Sequence, residues 1–178
     1  MAPMTAQEFR ALPETNQFVE LLCGEIVVSP SPVRKHQRAI VALITYLTRA
    51  VPKGEFLVAP MSVHLDDENI PEPDIFWVSG PDSKCKLGED GYFYGAPDLI
   101  IEVLSPSSDR RDRRIKFQVY QQFGVREYWL VDPEAKTIEV WRLIGQEFIL
   151  IGVFGTGTTF ISTVLFDLTV NVKAALGD

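Results

Sequence analysis

Cysteine is scarce in this chain: Cys23 and Cys85 are the two among 178 residues. That excludes a fold stapled by several disulfides, and with no export signal in view the pair reads as reduced thiols. A zinc site is not expected either, because Cys23, Cys85, His36 and His64 lack paired ligand spacing. Long apolar runs are also missing. Segments such as Asp98-Leu-Ile-Ile-Glu-Val-Leu104 fall well short of a membrane span, so no membrane partner is expected. The opening MAPMTAQEFRALPETNQ has no basic stretch followed by a sustained apolar one, which makes a cytoplasmic location the expectation. Positive charge is in deficit, with 17 basic against 24 acidic residues and a net charge of -7. Non-specific coating of nucleic acid through counterion release is thereby disfavoured, and any contact with DNA must be local.

Apolar residues make up 46% of the chain, and eleven Phe, three Trp and five Tyr supply aromatic bulk. This is enough to bury a core without staples, and residues 1–178 read as one domain. The segment Asp109-Arg-Arg-Asp-Arg-Arg-Ile-Lys116 runs against the overall charge: five basic and two acidic residues give +3 over eight positions.

Thr5 to Leu12 reads as a short helix with a capping box between Thr5 and Glu8. Phe18–Leu22 and Glu25–Val28 flank Cys23-Gly24 as a hairpin, and the prolines of Ser29-Pro-Ser-Pro-Val33 force a connector. Between Val33 and Val51, Ile40, Leu43, Ile44 and Leu47 recur at helical spacing until Pro52-Lys-Gly54 ends the pattern. Residues 56–59, 61–65, 74–78, 99–104 and 127–131 read as strands. Arg110 to Phe123 reads as an amphipathic helix with Ile115, Val119 and Phe123 inward and Gly124 at its C-terminal cap, giving a strand-helix-strand unit with parallel pairing. Thr137–Leu143 and Glu147–Phe154 suggest another hairpin, and Phe160–Val172 a closing strand or loop. Together these predict an α/β or α+β domain, a central mixed sheet flanked by helices.

Within this scaffold, Glu102 interrupts an apolar run of the kind buried on both sheet faces. A carboxylate there needs a metal, a cation or strong donors. Asp74 follows Ile70-Pro-Glu-Pro73, whose prolines fix the entry to the next strand. It reads either as a turn aspartate or as a second metal ligand meeting Glu102 from a neighbouring strand. Asp98 lies on the face of Glu102 but roughly 13 Å along the strand, too far to share an ion, and reads as a strand-entry cap. Lys116 lies four residues after Asp112 and four before Tyr120, so all three line one helical face. It is either a charge aimed at a phosphate or attacking water, or a solvated partner of Asp112. Arg110, Arg111, Arg113 and Arg114 are candidate phosphate contacts, with a solvated helix face as the alternative.

The string Gly95-Ala-Pro-Asp-Leu-Ile-Ile-Glu-Val-Leu-Ser-Pro-Ser-Ser108, followed by Asp112, Lys116, Tyr120 and Gly124-Val-Arg-Glu-Tyr-Trp-Leu-Val-Asp-Pro133, resembles the Uma-two family of PD-(D/E)XK restriction-endonuclease-like proteins. The likeness extends to Met4-Thr5 with Glu8-Phe9, to Val19-Glu-Leu-Leu-Cys-Gly-Glu25, to Ser31-Pro32 with His36, and to Pro73-Asp74. It implies a restriction-endonuclease-like core in which Asp74 and Glu102 hold the metal and Val103 adds a backbone carbonyl. Leu104 stands where the wider superfamily pattern has lysine, and Lys116 matches the lysine displaced onto the next helix. Glu20 matches an early glutamate that reaches the metal through water, and His36 is a weaker candidate. Structural hydrogen bonding is an equal reading for both.

The expected function is a Mg²⁺- or Mn²⁺-dependent endonuclease acting on DNA, and the expected assembly a homodimer. Two alternatives stand beside it: a binding or assembly module without turnover, with Trp77 or Trp141 on a partner surface, and a metal-dependent phosphoesterase acting on small nucleotides.

Overall fold

Apolar periodicity and a few turn residues account for most of the chain's elements. The computed structural model describes residues 2–13, 15–105 and 112–177, Asp112 by its backbone alone. Helix α1 (Ala6–Arg10) starts at the expected capping box, Thr5 and Glu8 each satisfying the other's backbone N–H. Strands β1 (Phe18–Leu22) and β2 (Glu25–Ser29) form a hairpin. Cys23 and Gly24, with φ of 52° and 71°, form its two-residue turn, where both positions must be left-handed. Helix α2 (Arg34–Ala50) buries Ala39, Ile40, Leu43 and Leu47, the stripe read from the sequence. Next come β3 (Glu55–Val58), β4 (Val63–His64), β5 (Ile75–Val78), β6 (Lys86–Leu87), β7 (Phe93–Tyr94) and β8 (Leu99–Val103). A π-helical turn (Asp112–Lys116) leads into α3 (Phe117–Phe123), and β9 (Glu127–Asp132) follows. The chain closes with hairpin β10 (Thr137–Ile144) and β11 (Glu147–Gly155), hairpin β12 (Thr159–Ser162) and β13 (Leu168–Asn171), and α4 (Val172–Leu176).

The central sheet has six strands in the order β11-β10-β9-β8-β5-β3. Only the β8–β9 pairing is parallel, as expected for a strand-helix-strand unit, so the sheet is mixed. Side chains alternate across it. Trp77, Leu99, Ile101, Val103, Trp129 and Val131 pack with Leu43 and Leu47 of α2, whereas Phe76, Ile100, Tyr128 and Leu130 pack with Val119 and Tyr120 of α3. Every residue of β8 is buried, which is why its sequence is nearly all apolar. This mixed α+β architecture is the expected fold class. Among the described residues, no helix is long and apolar enough to cross a membrane.

Several local expectations change. Residues 61–65, expected as one strand, are extended over less than that span. Only Val63–His64 is extended, in a separate three-stranded sheet ordered β4-β7-β6, because two-residue strands carry no period to read. Phe160–Val172 is a hairpin that runs into helix α4, capped by the Asn171 side chain. The helix expected over 110–123 is regular only from Phe117; Arg110 and Arg111 lie outside the described residues. The wider π-helical turn shifts the helical phase, so Ile115, expected inward, is 41% exposed and Lys116 is buried in its stead. Trp77 is core; Trp141 is partly buried, with Phe117 edge-on to its ring at a centroid distance of 4.9 Å.

Candidate active site

Glu102 and Asp74 meet because β5 and β8 are antiparallel neighbours. Ile75 pairs with Ile101, so the next residues outward, Asp74 and Glu102, face each other across the sheet's end. The two are tied through backbone groups: Asp74 Oδ2 accepts the Val103 N–H at 2.7 Å, and Glu102 Oε2 accepts the Asp74 N–H at 3.4 Å. Neither tie uses the Val103 carbonyl. His36, in the first turn of α2, places Nε2 3.1 Å from Asp74 Oδ2.

Lys116 enters from the α3 side. Its amine donates to Glu102 Oε1 at 2.9 Å and pairs with Glu20 Oε1 at 2.7 Å, with all three side chains no more than 5% exposed. Tyr120, one α-turn further on, donates its hydroxyl to the same Glu102 oxygen at 2.8 Å. Burial, and then the charge of Glu102, push the Tyr120 phenol well above its usual range, so it remains a proton donor. Glu20 reaches this place although its hairpin lies outside the central sheet. Leu21 bridges to Ile70, and the Glu72 N–H donates to Glu20 Oε1 at 2.9 Å.

The structure therefore brings together Asp74, Glu102, Lys116, Glu20 and His36. Asp98 stays apart. At the opposite end of β8 it accepts from the Ser79 N–H and the Arg126 guanidinium. Burial acts to raise its pKa, but bonds from Ser79, Ser83 and Arg126 hold it below the usual carboxylate range. Arg113 pairs with Glu139 at 2.7 Å, and Arg114 is exposed. Both cysteines are free thiols.

Glu72 was missed in the sequence. Together with Asp74, Glu20, Glu102, Lys116 and His36 it lines a cleft of about 720 Å³. Burial, and then the charge of Glu20, raise its carboxyl, although Ser62 and Lys116 oppose the shift. The Pro71-Glu72-Pro73 spelling reads as punctuation, which hides a cleft carboxylate between two turn formers.

Among the described residues, four carboxylates thus share the cleft with a single lysine and one histidine. Hard oxygen donors in excess of local positive charge suit a hard divalent cation. Among the described residues, no three His, Cys, Asp or Glu side chains are already gathered in a metal-holding cluster, and Lys116 occupies the space between Glu20 and Glu102.

Comparison with curated proteins gives no match. Five chains of solved structures match. One is described as the crystal structure of a "putative nuclease belonging to DUF820" from Anabaena variabilis ATCC 29413; it shares 24% identity over 98% of each chain with a TM-score of 0.80. At that identity the likeness establishes a common fold. The model of the Uma2 family, described as "Putative restriction endonuclease", matches residues 6–173, which include every residue of the cleft. By that near-complete match, the chain belongs to the Uma2 family.

Proposed function

We propose that the protein is a metal-dependent endonuclease that hydrolyses phosphodiester bonds of DNA, acting in the cytoplasm as a homodimer. The observation that carries this reading is the buried amine of Lys116, set between Glu20 and Glu102 and opening on the same cleft as Asp74. Asp74 and Glu102 would hold Mg²⁺ or Mn²⁺, with the Val103 carbonyl as a third donor. The ion supplies charge neutralisation and Lewis-acid activation of water.

The remaining roles belong to the chain itself. Tyr120 and Lys116 fix the Glu102 carboxylate by donating to one of its oxygens, leaving its other oxygen towards Asp74. Lys116 holds positive charge where a phosphate would gather negative charge, and Glu20 keeps that amine in place from the far side. His36 orients Asp74. Arg110, Arg111, Arg113 and Arg114 are assigned to flanking phosphates, Arg113 exchanging Glu139 for the substrate.

Plasmid and single-stranded DNA assayed with Mg²⁺, with Mn²⁺ and with chelator test this reading. Cutting should require the ion and fall by at least about a hundredfold in Glu102→Ala and Lys116→Ala. Cutting in chelator, or unchanged cutting in both variants, overturns it.

One observation favours a second reading, a binding module without turnover. Lys116 already pairs with two of the carboxylates, so part of the charge an ion would meet is met by the chain itself. Calorimetric titration with Mn²⁺ separates the two: heat that disappears in Asp74→Asn belongs to an enzyme site, and no heat belongs to the module.

A further inference from the structure

Helix α2 carries Arg34, Lys35, Arg38 and Arg49 and no carboxylate, in a chain of net charge -7. Lys35 is engaged by Glu134. Arg34, Arg38 and Arg49 are exposed, and among the described residues no carboxylate pairs with them. At 3.6 residues per turn the three fall within about 60° of one another and span about 22 Å of the helix. They line a groove of about 790 Å³ together with Val41, Ala42 and Gly177. Gln37 and Val41 belong both to this groove and to the cleft of Glu102 and Lys116. The same helix that turns His36 towards Asp74 therefore presents a row of exposed arginines on its outer side.

We propose that the Arg34, Arg38 and Arg49 row is the track on which the sugar-phosphate backbone of a DNA duplex lies as it enters the cleft. The inference rests on the nuclease reading for its substrate, and on charge for its location. An exposed arginine offers a planar fork of donors that fits phosphate oxygens. A second copy of the chain is a poor occupant, since two such rows would repel each other. Single-stranded nucleic acid is also a poor fit, because stacking platforms are lacking: Tyr46 is the one aromatic residue of the helix, and it is partly buried. This track differs from the basic segment before α3, where Arg113 is held by Glu139.

The test measures binding apart from cleavage. Fluorescence anisotropy of a labelled DNA duplex is recorded in chelator over a series of salt concentrations. The full chain is compared with the combined Arg34→Ala, Arg38→Ala and Arg49→Ala variant and with the corresponding triple lysine variant. Each lost phosphate contact removes about 0.9 from the slope of log affinity against log salt, so the alanine variant should lose about 2 to 3 in slope and at least about tenfold in affinity at low salt. The lysine variant should keep the slope. Alanine is the best helix former, so these exposed substitutions should leave the fold intact, as a circular dichroism melt would verify.

Any of several results overturns the track: no duplex binding by the wild-type chain, an unchanged slope in the alanine variant, tighter binding of a labelled single strand, or a change in oligomeric state accompanying the loss. Failure of the nuclease reading looks different. A wild-type chain that binds through these arginines but never cuts with Mg²⁺ or Mn²⁺ keeps the track and loses the enzyme. One that cuts while the alanine variant binds normally does the reverse.

Discussion

Lys116 shows how much depends on one side chain. It is buried with its amine between Glu20 and Glu102, so its removal leaves two carboxylates without their common counter-charge. Lys116→Ala should cost about 3–5 kcal/mol of stability in metal-free buffer, as breaking a buried ion pair does. Tyr120→Phe, which removes one hydrogen bond to a charged group, should cost about 1.5–3 kcal/mol. Urea unfolding measures both, and a Lys116→Ala loss below about 1 kcal/mol would mean that the carboxylates find other partners. Legibility at this scale follows the energy. Glu102 could be read because a charge inside an apolar strand has to be compensated, whereas Lys116 stayed open between two readings because a helical face shared with Asp112 and Tyr120 fits a solvated pair equally well. Glu20 came into view only through a family resemblance, since a lone acid in a short apolar strand next to a turn carries no spacing that points to a site. Glu72 was invisible because its environment comes from burial and from Glu20, set 52 positions away.

Elements were legible where a period had room to repeat. The 17 residues of α2 and the buried β8 and β9 could be read directly. The two-residue strands, the five-residue α4 and the π-helical turn could not, because each is shorter than the pattern that would announce it or departs from the usual period. The small β4-β7-β6 sheet nonetheless has a definite task, since it anchors α1. Arg10 bonds His64 Nδ1 at 2.7 Å and the Tyr94 hydroxyl at 2.8 Å, with its guanidinium over the Tyr92 and Tyr94 rings. Burial, and then the charge of Arg10, lower His64 from 6.5 to about 4, although Asp90 pulls the other way. In that window the unfolded chain binds a proton that the folded chain refuses, so stability falls as pH drops from 6.5 towards 4. Thermal melts should show His64→Gln losing less than wild type over this range. Arg10→Ala, lacking the neighbouring cation, should narrow the window from below. Parallel pH profiles for wild type and His64→Gln would show that His64 is not the titrating group.

For the molecule as a whole, the net charge of -7 and the acid-rich cleft both concern the company the protein keeps. On the proposed function, an acidic molecule has to confine its attraction for DNA to a small area, and an acid-rich cleft has to find a cation. In metal-free buffer that cation is Lys116, which bonds Glu20 and Glu102 but leaves Asp74 to the Val103 N–H and His36. A divalent ion that binds only the folded chain stabilises it by mass action, by about 2.7 kcal/mol at a hundredfold excess over its dissociation constant. For a chain of this size that corresponds to roughly 5–10 °C in Tm. Wild type should therefore melt higher in Mn²⁺ than in chelator, and Asp74→Asn should lose the increment while melting normally without metal. Lys116→Ala separates the roles further. It should melt lowest in chelator yet gain more from Mn²⁺ than wild type does, because the ion then takes over the charge that Lys116 supplied to Glu20 and Glu102. If Mn²⁺ raises none of the three, Lys116 is the permanent occupant of the cleft, and the fold has kept the architecture of a nuclease without its metal.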